Sequence, residues 1–317
     1  MKNSRIFKKL SDQDIQRLQQ MLTSEQSSRQ VAREFRISKS SVNNLRKILR
    51  ETKQTYTGPK ILLLDIETTP EISFTWGRWK QFISQEQIIE HPYVLTWAVR
   101  WLHTGETVSR KLSDYPTFNT DLRDDSLLIE ELWSLMMEAD FIVAHNGDKF
   151  DIPWILSRAI KHGLPPLNPT KFIDTLKFAK RYLRLPSNSL KSICAYYGLR
   201  PKLDNAGFPL WRACMDGDTQ AFLDMETYNV GDLDSLEDVY LLFRPHMKSH
   251  PNAALYFPDA VHRCSRCGSS DMHEEETVFH TSISSFGTVR CASCGAVHRT
   301  RINKRSKEQM STTLVGV

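Results

Sequence analysis

Two acids set two positions apart, Asp65 and Glu67, close the aliphatic run Ile61-Leu62-Leu63-Leu64. Gly58-Pro59 before the run and Pro70 after it bound a short strand buried on both faces. Side chains alternate across a strand, so Asp65 and Glu67 point to one side and Ile66 to the other. Two carboxylates at the end of a buried strand repel each other, and each is driven toward protonation. A hard divalent cation removes that conflict, because oxygen ligands suit Mg²⁺ and Mn²⁺. The plainer alternative has Asp65 capping a turn and Glu67 in solvent.

Further acids lie at strand and helix ends. A second apolar run, Phe141-Ile142-Val143-Ala144, leads into His145-Asn146-Gly147-Asp148-Lys149-Phe150-Asp151. Asp151 stands just before a helix that tolerates Pro153 in its first turn, so it also fits an ordinary helix cap. That helix is expected to turn Ile152, Ile155, Leu156 and Ile160 inward and to end near Gly163. Residues 219–244 form a long helix with Phe222, Leu233, Leu236 and Val239 inward. Tyr228 and Asp232 lie four apart on it and share a face. Such a pair is usually a surface hydrogen bond, and it matters only if that face meets Asp65 and Glu67. Asp174-Thr175 and Ser187-Asn188-Ser189 read as structural helix starts.

The six cysteines include two Cys-x-x-Cys pairs, Cys264/Cys267 and Cys291/Cys294, each followed by glycine. In a chain without a secretion signal this spacing points to metal and away from disulfides. Four thiolates fit one tetrahedral, structural Zn²⁺. His298 could substitute for one ligand. Cys194 and Cys214 read as core thiols.

The elements that must position these groups follow from pattern. Ile15, Leu18 and Leu22 mark one amphipathic helix, and Val31, Ala32 and Phe35 a second. Ser38 is placed to cap a third, with Val42, Leu45 and Leu49 inward and Lys39, Asn43, Arg46, Lys47 and Arg50 outward. Glu51 to Lys60 reads as a polar linker. Phe74-Thr75-Trp76-Gly77-Arg78-Trp79-Lys80-Gln81-Phe82 interleaves aromatics with cations. That stretch could stack on bases through Trp76 or Trp79, or could simply pack as a lid. Tyr93 to Leu102 and Thr107 to Leu112 pair as a hairpin, and Leu127 to Ala139 is an amphipathic helix. Strands alternating with helices indicate one α/β domain.

The net charge of +5 hides a partition. Residues 1–60 hold 14 Lys/Arg against 5 Asp/Glu, residues 61–259 hold 20 against 27, and residues 260–317 hold 8 against 5. An acidic middle flanked by basic ends suits a metal-using centre whose flanks hold a polyanion; it also fits three differently solvated surfaces. No apolar run is long enough to span a bilayer, and the N-terminus lacks the apolar core of a signal peptide. The expected location is the cytoplasm, with no membrane partner.

With these pieces in place, the middle domain resembles the DnaQ-like, DEDD-type 3′–5′ exonucleases on the RNase H-like fold. Asp65-Ile66-Glu67 matches the family's first motif, Asn146 through Phe150-Asp151 its second, and Tyr228-Asn229-Val230-Gly231-Asp232 the tyrosine form of its third. Thr227 stands where the histidine form would place His. Together with Trp76-Gly77, His250-Pro251-Asn252 and a C-terminal zinc ribbon, the motifs resemble stand-alone exonucleases of phage and prophage genomes, which would act in a bacterial host cytoplasm. Residues 30–42 resemble the helix-turn-helix of resolvase- and transposase-type DNA-binding domains, whose third helix enters the major groove.

The resemblance implies that Asp65, Glu67, Asp151 and Asp232 hold two Mg²⁺ or Mn²⁺ ions, with Asp65 bridging them and Tyr228 orienting the attacking water. It implies nucleic acid as partner, DNA in the first place, contacted by Lys39, Asn43, Arg46, Lys47, Trp76 and Asn146. With no polymerase segment in the chain, any proofreading would serve a replication or repair polymerase in trans. The expected organisation is a helix-turn-helix over 1–52, a linker over 53–60, the exonuclease domain over 61–246, a linker over 247–261, the zinc ribbon over 262–302 and a disordered basic tail over 303–317. Rival readings are an RNase or a structure-selective endonuclease on the same fold, and a non-catalytic DNA-binding regulator.

Overall fold

A computed structural model describes residues 18, 21–22, 27–35, 37–43, 45–46, 56–204 and 206–315. In the N-terminal segment, helix α1 (Ser28–Glu34) opens on Ser27, whose side chain accepts from the Gln30 amide while the Gln30 side chain answers the Ser27 amide. Residues 39–43 are helical again, and Ser38 caps them by accepting from the Ser41 amide at 3.0 Å. Leu18, Leu22, Val31, Val42 and Leu45 share a small core. Lys39 and Asn43 are exposed as expected. Arg46 corrects its expectation: it turns inward and donates to the Leu22 and Met21 carbonyls and to Ser28 Oγ. These acceptors fix the guanidinium against the small core. Ile15, Lys47, Leu49 and Arg50 lie outside the described residues.

The central domain is a five-stranded sheet in the order β5-β4-β1-β6-β7. Its strands are β1 (Ile61–Thr68), β4 (Val94–Trp101), β5 (Thr107–Lys111), β6 (Phe141–Ala144) and β7 (Lys171–Asp174). Between β1 and β4 a short ribbon pairs β2 (Ile72–Ser73) with β3 (Ile88–Glu90). β1, β4 and β5 run antiparallel as a meander; β6 and β7 continue parallel to β1. Parallel strands need crossovers, and helix α2 (Ser126–Glu138) and helix α3 (Asp151–Lys161) supply them.

Strand β1 is covered on both sides, as its aliphatic run requires. Leu62, Leu64 and Ile66 join one core with α2 and α3; Ile61 and Leu63 join a second. Helix α4 (Thr175–Tyr182), helix α5 (Leu190–Tyr197) and the far half of a 25-residue helix face the second core. A short helix α6 (Phe208–Met215) precedes that long helix, α7 (Thr219–Phe243). The first part of α7, through Phe222 and Met225, packs in the first core, and its end, through Leu236 and Tyr240, in the second. Its middle therefore crosses the end of β1.

Helix α3 departs from its expected face. Asp151, Ile155, Arg158 and Ala159 are its buried side, while Leu156 and Ile160 are exposed. The buried carboxylate of Asp125 accounts for the rotation. It takes Arg158 at 2.5 Å and His162 at 2.7 Å and also accepts from the Val94 amide at 3.0 Å. A buried charge must be paired, and that demand outweighs the burial of two aliphatic side chains.

The described part of the first expected linker, residues 56–60, and the second linker are packed onto the domain. Tyr56 stacks on His103 at 4.7 Å, and a Cβ on Gly58 would meet the Phe257 ring at 2.4 Å. His250 is buried, with Tyr240 Oη 2.8 Å from its Nε2. The C-terminal unit is a three-stranded sheet, β10-β9-β8, of β8 (Met272–His280), β9 (Ser285–Cys291) and β10 (Val297–Asn303). The stretch expected to be disordered carries helix α8 (Lys307–Ser311), opened by a reciprocal Ser306–Gln309 cap.

Candidate active site

Asp65 and Glu67 leave β1 on the face that meets α7, one on each side of Ile66, which is buried in the opposite core. Asp232 comes from the middle of α7. Ligand oxygens of Asp65, Glu67 and Asp232 all lie within 4.8 Å of one another. Tyr228 sits one turn earlier on the same helix and is 9% exposed. The helix bearing Tyr228 and Asp232 thus meets the strand bearing Asp65 and Glu67.

Asp151 is tied to the same strand. It is the first residue of α3, one past the N-cap position, which Phe150 holds. Its Oδ1 instead accepts from the Ile66 amide at 3.2 Å, between the two β1 acids. The helix-cap alternative for Asp151 is therefore set aside. Asn146 precedes it in a turn with φ +75°, and the Asn146 amide donates to Asp174 Oδ1 at 3.0 Å. Asp174 also accepts from the Asp148 amide and caps α4. Trp76 lies on the β2–β3 loop, 97% exposed, and no stacking partner meets it among the described residues.

The electrostatics are those of crowded acids. Burial, with Asp151, Asp232 and Glu67 nearby, holds the Asp65 carboxyl well above the usual range. Burial and Asp232 push Glu67 to about 8. Burial pushes Asp151 to about 7 against its backbone hydrogen bonds. Asp232 is raised by burial and eased by Lys202. Asp232 is 2% exposed, and its Oδ1 has no hydrogen-bond partner among the described residues. A buried acceptor without a donor, among acids that resist ionising together, fits a divalent cation.

Two residues here carry no motif. Asn229 is fully buried and donates from Nδ2 to Asp65 Oδ2 at 2.5 Å. Its position inside the Tyr-x-x-x-Asp spacing, three before Asp232, was the available signal. Lys202, from the segment after α5, puts Nζ 2.8 Å from Asp232 Oδ2 and 4.9 Å from the Tyr228 ring centre. Nothing in the sequence marks it. Burial lowers the Lys202 pKa, but Asp232 outweighs that and holds it above its ordinary value. Burial pushes Tyr228 to about 12.

The second metal-competent group is Cys264, Cys267, Cys291 and Cys294, whose sulfurs lie within 4.8 Å of one another. Cys264–Cys294 and Cys267–Cys291 are each 3.6 Å apart, and no disulfide joins them. This donor set fits Zn²⁺. His298 Nε2 lies 3.2 Å from Cys264 Sγ, where it supports a ligand while all four sulfurs remain available.

A profile of the RNase H superfamily matches residues 84–243, just over half of the chain. The chain belongs to the RNase H superfamily. The span matched to the RNase H superfamily takes in Asp151, Tyr228, Asn229 and Asp232 and begins after β1, leaving Asp65 and Glu67 outside it. No curated protein matches the chain. Among solved structures, it is similar to the family B DNA polymerase of the hyperthermophilic archaeon Pyrobaculum calidifontis, at 17% identity and a TM-score of 0.44. That similarity covers 59% of this chain and 25% of the polymerase chain. The chain thus joins an RNase H-like fold to an acidic group able to hold a divalent metal. No described helix is long and apolar enough to cross a membrane.

Proposed function

We propose that this protein is a metal-dependent 3′–5′ exonuclease of the tyrosine-type DEDD class, acting on DNA in preference to RNA. The observation that carries the reading is the meeting of Asp65, Glu67 and Asp232 from two distant elements, with ligand oxygens within 4.8 Å. The hydrogen bond from the Ile66 amide to Asp151 supports a fourth acid beside them.

Asp65, Glu67 and Asp232 would hold one cation, and Asp65 with Asp151 the second. Bound there, Mg²⁺ or Mn²⁺ supplies charge stabilisation to the attacking and leaving oxygens of an in-line displacement. Asn229 fixes the rotamer of Asp65. Tyr228, with its pKa pushed to about 12, keeps its proton at neutral pH and orients the attacking water. The water oxygen bonds to phosphorus as the bond to the 3′ oxygen breaks. The water gives up one proton to solvent, the 3′ oxygen takes one, and a nucleoside 5′-monophosphate departs.

The N-terminal helices, with Lys39 and Asn43 exposed, and the exposed ring of Trp76 would supply affinity for the polyanion. The zinc ribbon would brace the C-terminal end. A time course on 5′-labelled single- and double-stranded DNA and RNA, with Mg²⁺ or EDTA, tests the reading. A ladder of progressively shorter labelled products that needs Mg²⁺ is expected. Internal cuts on a substrate whose 3′ end is blocked by phosphorothioate would replace the exonuclease with an endonuclease.

A further inference from the structure

The segment over 199–204 has no regular secondary structure, yet it is anchored to α7 on both sides of Lys202. Arg200 grips Asp238 with Nε at 2.7 Å and Nη2 at 2.8 Å, and its Nη1 lies 3.1 Å from Asp234. Ser235 Oγ donates to the Arg200 carbonyl at 3.4 Å. Leu203 closes the other side against Gly231, where a Cβ would meet Leu203 Cδ1 at 2.5 Å. Lys191 holds Asp204 at 2.6 Å. Bidentate arginine pairs and a close backbone approach fix a chain segment far better than one exposed ion pair does.

What the strap delivers is an ammonium group. Its side chain reaches Asp232, whose remaining oxygen is buried and unpartnered. In the Tyr-x-x-x-Asp spacing, Gly231 is the position that allows the strap to lie this close.

We propose that Lys202 is a tethered counter-ion that holds the acidic centre together while no metal is bound, and so sets how tightly a divalent cation is taken up. The inference rests on the metal-dependent reading above and goes beyond it, since it assigns Lys202 to the metal-free state. A cation entering beside Asp232 must contend with the ammonium for the same carboxylate, and like charges at this range oppose each other. Removing the ammonium strengthens metal uptake. It also leaves the acids without a counter-charge whenever metal is absent, a cost that bound metal cancels by linkage.

The test uses the full chain with its ribbon cysteines filled by zinc. Mn²⁺ is titrated calorimetrically, with Asp65→Asn identifying the heat that belongs to the acidic centre. Thermal unfolding is followed in EDTA and in saturating Mn²⁺. Lys202→Met, and Lys202→Gln as the polar alternative, should bind Mn²⁺ at least tenfold more tightly. Both should melt several degrees below the parent in EDTA and no lower than the parent in Mn²⁺. Lys202→Arg should keep the parent's affinity. An unchanged or weaker Mn²⁺ affinity overturns the proposal. So does a melting deficit that persists in Mn²⁺, which would make Lys202 a packing residue. Tighter uptake in the variants with no cleavage by the parent would uphold the counter-ion and sink the nuclease. Cleavage by the parent with unaltered uptake in the variants would do the reverse.

Discussion

Asn229 Nδ2 lies 2.5 Å from Asp65 Oδ2, a hydrogen bond across 164 positions of sequence that joins helix α7 to the end of strand β1. The amide is fully buried, and the carboxylate it holds is one of the three that converge. A hydrogen bond to a charged group is worth about 1.5–3 kcal/mol. If that term acts in the transition state, Asn229→Ala should lower kcat/KM roughly 10- to 150-fold. Asn229→Asp should do worse, because it removes the donor and adds an acid. Wild-type rates in either variant would remove Asn229 from the site.

Tyr228 makes a different prediction. With its pKa pushed to about 12, the hydroxyl is suited to orient a water and not to serve as a base. Tyr228→Phe should cut kcat about tenfold or more and leave KM near its parent value. The parent's pH–rate profile should contain no phenolic step below pH 10. A rate that survives the substitution would leave water positioning to the acids alone.

The metal-free chain should lose stability as pH rises. Glu67 and Asp151 are pushed to about 8 and about 7, above their ordinary values, so the folded chain keeps protons that the unfolded chain has released. For carboxyls shifted in this direction, the contribution is fully present below the unfolded values and is lost as pH climbs through 7 to 8. Denaturant melts in EDTA should show a fall on the order of 2–5 kcal/mol between pH 5 and 9. Saturating Mn²⁺ should flatten the curve. A profile equally steep with and without metal would argue against cation binding at these acids.

Asp125 should matter to stability without touching the chemistry. Its carboxylate is fully buried and carries both Arg158 and His162. Asp125→Ala strands a buried guanidinium and should cost about 3–5 kcal/mol in chemical denaturation. Rates normalised to folded protein should change little. A loss below 1 kcal/mol would mean that Arg158 finds another partner.

Zinc content should follow the four thiols. Elemental analysis should find one zinc per chain, and Cys267→Ser or Cys291→Ser should abolish it. Prolonged chelation should unfold the ribbon while the melting of the central domain stays in place. A chain free of zinc but with an intact ribbon fold would count against the assignment.

Much of this was legible in the sequence because it follows from period and spacing. The β1 acids share a side since strands alternate, and Tyr228 shares a face with Asp232 since helices repeat in about four residues. The periodicity of Leu156 and Ile160 fits an inward stripe equally well, yet both are exposed. Only the three-dimensional position of Asp125 decides that Arg158 turns in instead. Arg46 escapes pattern for a similar reason: it is a cation on a polar face whose acceptors, Met21 and Leu22, lie over twenty residues away. Lys202 was invisible because an irregular segment has no period. Its role depends on Gly231 and Asp238, which lie on another element.

The strict alternation of β1 has an evolutionary corollary. Leu62, Leu64 and Ile66 fill one core while Asp65 and Glu67 face α7, so sliding this strand by one residue would drive the acids into the core under α2 and α3 and turn Ile66 toward α7. A single-codon deletion within β1 should therefore disrupt the domain and not merely empty the acidic group. Folded relatives without the acidic group should instead arise by replacing the carboxylates one at a time.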